Sequence, residues 1–171
     1  MSVKGRSRLF WCGLAVVFLL ALFPRLLYPV SPYMLWYERS VHFWDALLVG
    51  DLGGTYQQYH PGVTTMWIAG LGLRVYMAAH GWSSDDLLYP PQMLSGPQGP
   101  PFRAGVAALS LVIAACITLV YVLLVPVTNW SVAFSGGCLL ALDPFYIAHS
   151  KLVHVDGLLA SFMLISALSL I

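Results

Sequence analysis

The sequence predicts an all-α polytopic membrane protein, and three observations carry that prediction. Hydrophobic residues make up 59% of the chain and charged residues only 9%, against about 25% charged in soluble domains. The apolar residues gather into runs approaching the roughly 20 residues of a bilayer-crossing helix. Polar stretches rich in proline and glycine separate those runs.

Taken in order, Lys4, Arg6 and Arg8 precede an apolar run from Leu9 to Phe23, giving a first span over about residues 9–28. Basic residues before a first span hold that end in the cytoplasm. No small-residue cleavage site follows; Pro24-Arg25 and Pro29 do. This favours an uncleaved span over the alternative, a signal peptide. From about residue 34 to 49 an amphipathic helix is expected. Trp36, Phe43 and Leu47 fall on one side of it, and Glu38, His42 and Asp45 on another. Trp and Phe on the apolar side of a short helix suit the membrane interface. Gly50, Gly53 and Gly54 end it.

His60-Pro61-Gly62 opens a second helix over about residues 62–79, since proline costs little in a first turn. Arg74 lies inside it. A central arginine costs about 2.5–3.5 kcal/mol on insertion scales, so the helix is expected to lie in the interface. Gly81 to Pro101, with SSDD, PPQ and GPQGPP, reads as an exposed loop. Residues 104–126 form the clearest span, followed by a turn with Trp130 at the interface. A further span over 132–149 carries Gly136-Gly137 for close packing. It also carries Asp143-Pro144, a structural pair expected to break the helix near the surface. The last run, 157–171, stops short of a full span, so the chain is expected to be the front portion of a longer protein.

Several classes are disfavoured. A net charge of +1 without a basic stripe argues against a nucleic-acid partner. Cys12, Cys116 and Cys138 lie in apolar runs without a CxxC, so they read as small buried hydrophobes. There is no Gly-rich phosphate loop, no HExxH and no GxSxG.

Parity of the spans sets the topology. If the helix over 62–79 lies flat, all seven acids fall outside or in the outer half of a span, and only Lys4, Arg6 and Arg8 remain inside. That agrees with the positive-inside bias. The expected location is therefore the cell membrane, multi-pass, with a cytoplasmic amino terminus.

Glu38 and Asp156 are the candidate catalytic acids. A carboxylate beside a bilayer tends to be paired or functional, and facing a substrate hydroxyl or amine it can act as a general base. Their structural roles would be pairing with His42 or Arg39 for Glu38, and capping the last helix for Asp156. His60, Arg39, Lys151 and His154 are candidate phosphate binders, with interfacial anchoring as the alternative. Asp45 and Asp51 read as solvated helix-end residues. Trp36, Tyr37, Trp44, Tyr56 and Tyr59 could stack on sugar rings or form an aromatic belt.

The order of "WYERSVHFWDALLVGD", "YHPGVTTMW" and "ALDPFYIAHSKLVHVDGLLASFMLIS" resembles the amino-terminal part of GT-C membrane glycosyltransferases. The protein O-mannosyltransferase and aminoarabinose-transferase-like group is the most similar. The resemblance covers nearly the whole chain. It implies a GT-C-like transmembrane bundle with interfacial helices in the first outer loop. It also implies a hexosyl- or pentosyltransferase acting on the outer side of the membrane. The sugar would pass from a polyprenyl-phosphate donor to a glycan, lipid or protein acceptor.

In that family an acid of the first outer loop is the base and a second acid precedes the fourth span. Glu38 and Asp156 match those positions. His60 matches a basic residue before proline that contacts phosphate. Where the family shows an Asp-Glu pair, this chain has Tyr37-Glu38, or Pro32-Tyr33 if aligned a little earlier. Some family members use a divalent metal and others do not. The alternatives are a non-catalytic subunit or pseudoenzyme of the same fold, and a transporter half. The clustering of acids at one surface disfavours the transporter, whose site would lie near the midplane.

Overall fold

The computed structural model describes residues 3–27, 34–57, 62–89 and 99–171. Every regular element among them is helical: α1 (Val3–Leu26), α2 (Met34–Leu48), α3 (Val63–His80), α4 (Ser84–Leu88), α5 (Pro100–Val127), α6 (Trp130–Leu142), α7 (Pro144–Ser150) and α8 (Asp156–Leu168). Two helices are long and apolar enough to cross a membrane, Arg8–Leu26 and Pro100–Val127, or three if α6 and α7 are one broken span. The described residues are thus all helical or irregular, and their apolar helices suggest a membrane protein. His60 lies outside the described residues.

The central helix is α5. Pro100 and Pro101 start it, where no backbone bond is lost. At the far end the Thr128 amide and hydroxyl close on the Leu124 carbonyl at 2.9 and 2.7 Å. Leu109, Ile113, Ile117 and Tyr121 along its length are buried. Phe10 stacks on Tyr121 at 5.7 Å, while Leu26 lies beside Pro100 and Arg103. So α1 runs antiparallel to α5. Helix α6 returns alongside α1. A Cβ on Gly137 would meet Val17 and Tyr121 at 3.2–3.3 Å, a close approach that larger residues would prevent.

The segment expected as one span over 132–149 is two helices bent by 55°. Asp143 makes the break: its carboxylate accepts from the Tyr146 amide at 2.6 Å, and Pro144 starts α7. Ending α6 in the interior leaves backbone carbonyls without helical partners. Arg25 supplies one. Its Nη1 donates to Ala141 O at 2.9 Å and Ala21 O at 2.7 Å, with its guanidinium over the Tyr146 ring at 5.0 Å. The side chain is only 1% exposed, and its Nε and Nη2 have no hydrogen-bond partner.

Helices α2, α3 and α4 gather at the end of the bundle where α5 begins. Tyr37 stacks on Phe102 at 5.9 Å and donates to Leu87 O at 3.0 Å. Burial pushes this phenol's pKa up. The Trp44 indole donates to the Met66 and Trp67 carbonyls, each at 3.2 Å. Helix α3 crosses the first part of α5, where a Cβ on Gly72 would sit 2.6 Å from Ala104 O.

Four expectations need correction here. The aromatic side of α2 does not face outward: Trp36 and Phe43 are buried, because α3 rather than solvent or lipid covers them. Asp45 is not simply solvated: it pairs with Arg74 and accepts from Ser84 Oγ at 2.6 Å. The same pair removes Arg74 as an isolated charge in α3. The stretch after Gly81 contains α4, held by a reciprocal capping box between Ser83 and Asp86. The Ser83 amide and then its hydroxyl keep the Asp86 carboxyl below its usual range. The contribution of that cap is complete above the ordinary carboxylate pKa and is lost as pH falls through the lowered value.

Arg25→Met keeps most of the aliphatic bulk but removes the bonds to Ala21 and Ala141. Charged hydrogen bonds contribute about 1.5–3 kcal/mol, partly offset here by removing a buried charge. The expected outcome is destabilisation of about 1–3 kcal/mol, measured by thermal unfolding in detergent. An unchanged unfolding temperature would show that the break does not depend on Arg25.

Candidate functional site

The candidate site is the turn between α7 and α8, with the helices packed against it. Residues 151–155 join α7 to α8 without regular structure. Asp156 is the first residue of α8, with Val155 at the cap position and no side-chain cap bond. The expectation that Asp156 caps the last helix is therefore corrected. Its carboxylate turns instead to two histidines: Oδ2 lies 3.0 Å from His154 Nδ1 and 3.7 Å from His149 Nδ1. His154 Nδ1 also lies 3.5 Å from the Asp156 amide. In that contact the amide donates to the ring nitrogen. The Asp156 side chain remains 50% exposed, open to a reactant.

Tyr146 fixes this turn from below. Its hydroxyl contacts Ser161 Oγ and lies 3.3 Å from Gly157 O, tying α7 to the first turns of α8. Ser161 Oγ also donates to Gly157 O at 2.7 Å. Helix α8 approaches because Gly157 has no side chain: a Cβ would meet Ile113 at 3.0 Å and Ser150 Cα at 3.5 Å. Between α6, α7 and α8 lies a groove of about 420 Å³, lined by Leu140, Phe145, Tyr146, Ala160 and Leu164, with His149 and Asp156 contributing its polar part. It is an apolar slot with a carboxylate and an imidazole on it.

The first-loop helix reaches the same place. The Trp36 and His154 rings meet edge-on, with centroids 6.2 Å apart. Residues more than 100 positions apart therefore share one end of the bundle. Trp36 is enclosed, with the Arg39 guanidinium 5.0 Å from its ring centre. It is not free to stack on a sugar, which corrects that expectation.

The other candidates are placed as follows. Glu38 is exposed and forms no ion pair or hydrogen bond with another described residue, so the pairing considered with His42 or Arg39 is not made. Arg39 is 5% exposed, so it is no snorkelling anchor; it packs on Trp36. Lys151 is half-buried at the end of α7. The structure thus brings together Asp156 and His154, with Arg39 reaching them through Trp36. Asp51 is exposed and accepts from the Gly54 amide at 2.9 Å, a turn residue as expected.

No family model, curated protein or solved structure matches this chain. The site must therefore be judged on its own chemistry. Among the described residues, no three His, Cys, Asp or Glu side chains converge in a metal-holding arrangement. The cluster of His149, His154 and Asp156 does not fit a resident divalent ion.

Sequence reasoning overlooked His149, Tyr146 and Arg25. His149 lies seven positions before Asp156, but residues 151–155 between them are not helical, so helical spacing does not describe how the two meet. Arg25 carried a signal: it is a cation at the end of an apolar run, and such residues find partners when buried.

Tyr146→Phe removes the hydroxyl tie between α7 and α8 and leaves the Ser161–Gly157 bond. A loss of about 0.5–1.5 kcal/mol is expected from one such bond, read as a lower unfolding temperature in detergent. A stability gain would show that the hydroxyl is poorly satisfied.

Proposed function

We propose that this chain is part of a GT-C-type membrane glycosyltransferase that transfers a sugar from a polyprenyl-phosphate donor to an acceptor on the extracytoplasmic side. One observation carries the reading. A half-exposed carboxylate, Asp156, flanked by His149 and His154, stands on an apolar groove of about 420 Å³. It does so at the end of the bundle where the first-loop helices pack. A lipid-linked sugar needs that combination: apolar surface for the chain, and a base with cationic groups at the polar end.

In this reading Asp156 accepts the proton from the acceptor's hydroxyl or amine. The acceptor attacks the anomeric carbon, and the bond to the donor phosphate breaks. The leaving phosphate carries the negative charge, and His149, His154 and Lys151 are the basic side chains that would hold it. The His154 ring, against the carboxylate, orients it. Glu38, exposed on α2, is a second acid on the same side, and His60 and Arg39 remain candidate phosphate contacts. The amino terminus lies in the cytoplasm by the positive-inside bias.

A second reading, a non-catalytic subunit of the same fold, is favoured by one detail. Tyr37 stands where the family has an acid, and it is a structural residue, buried with its hydroxyl on Leu87 O.

The test is transfer from a polyprenyl-phosphate sugar by membranes containing the protein. If Asp156 is the base, Asp156→Asn lowers the rate by about 10²–10⁴-fold at unchanged expression; Glu38→Gln does so if that acid serves instead. Full activity in both variants removes the site assignment. Donor binding without transfer by the unmodified protein supports the non-catalytic reading.

A further inference from the structure

Gly62 starts α3 and is buried, and it lies far from Asp156 in sequence. A Cβ built on it would overlap three atoms of the six-membered ring of Trp36. The absence of a side chain at 62 is what lets the indole occupy its place. Another neighbour of that indole is the His154 ring, edge-on at 6.2 Å. His154 in turn holds Asp156 Oδ2 at 3.0 Å. The contacts therefore run from the start of α3 to the carboxylate without a gap.

We propose that Gly62 and Trp36 are positioning residues for the His154–Asp156 pair, setting the imidazole and through it the carboxylate. As a statement about catalysis this rests on the transferase reading above; as a statement about geometry it does not. The physical case is one of shape. Trp36 is 3% exposed and has Arg39 over its ring, so it does not yield freely toward α2. Beside it is a cavity of about 180 Å³ whose lining includes Gly62 itself with Trp36, Thr65, Val155 and Leu158. A side chain at 62 has room to push the indole into that space. The consequence is a shifted tryptophan rather than a lost fold, and a shifted tryptophan no longer backs His154. Displacement of a reacting group by about 1 Å costs on the order of 100-fold in rate, so a small movement here would be visible.

The experiment is a double-mutant cycle on the full protein, using Gly62→Ala, Trp36→Phe and the two combined. The structural readout is the NMR resonance set of His154 in histidine-labelled protein in micelles, assigned with His154→Gln. Gly62→Ala shifts the His154 ring resonances. Trp36→Phe, which removes ring volume facing Gly62, shifts them too. Adding Gly62→Ala to Trp36→Phe changes little more, because the overlap is already relieved. Where transfer is measurable, Gly62→Ala lowers kcat by about 10–100-fold with KM for the donor within twofold, and its effect is smaller in the Trp36→Phe background. Unmoved His154 resonances in Gly62→Ala, or equal and additive effects in both backgrounds, would overturn the proposal. A coupled shift of His154 in a protein that shows no transfer supports the geometry and counts against the transferase reading alone.

Discussion

The arrangement depends on a buried arginine that meets an interrupted helix. A span broken in a dry interior exposes carbonyls that water cannot reach, and each costs free energy unless a donor is found. Arg25, at the end of α1, donates to Ala141 O at the end of α6. Its positive charge also faces the carbonyl end of that helix, where a cation is favourable. The guanidinium then lies over Tyr146. The break is thereby stable, and the direction of α7 follows from it. Without the 55° bend, His149 would continue along α6 instead of turning toward Asp156.

From that pin the structure can be followed outward. Tyr146 rests against Arg25 through its ring and reaches Ser161 and Gly157 through its hydroxyl. One side chain thus joins α1, α7 and α8. Gly157 lets α8 close on α5, and Asp156 is the residue just before it. The carboxylate is placed by contacts that are mostly apolar or uncharged. This separates the structural load from the chemistry: the groups that hold the turn are not those that would move a proton.

The second support comes from the first loop. Helices α2 and α3 form a layer across the start of α5, joined by Trp44 on the α3 carbonyls and by the Arg74–Asp45 pair. A half-exposed ion pair contributes little stability by itself. Its consequence is that α3 carries no isolated charge where it crosses α5. The layer delivers Trp36 to His154, so a segment distant in sequence becomes a wall of the Asp156 site. An enzyme working on a lipid-linked substrate would need such a roofed corner at one end of its bundle. The layer also leaves Glu38 outside the cluster, exposed and unpaired among the described residues.

Much of this was legible in the residues. The apolar runs gave α1 and α5, because hydropathy over some 20 residues is a one-dimensional property. The division of α2 into Glu38 and His42 on one side and Trp36 and Phe43 on the other followed from helical periodicity. The partners were not legible. Periodicity tells which side chains share a face, not whether lipid or another helix covers it. Trp36 therefore read as interfacial and is enclosed, Asp45 read as solvated and is paired with Arg74, and the Ser83–Asp86 cap lay unnoticed in a stretch dominated by proline and glycine. Local sequence by itself determined an all-helical membrane protein with its polar residues concentrated around the first loop and Asp156. Only the tertiary structure decided that Arg25 closes the broken helix, that His149 and His154 flank one carboxylate, and that Trp36 meets His154. Those contacts join residues from separate helices, and their energies come from burial and close approach, which no single segment contains.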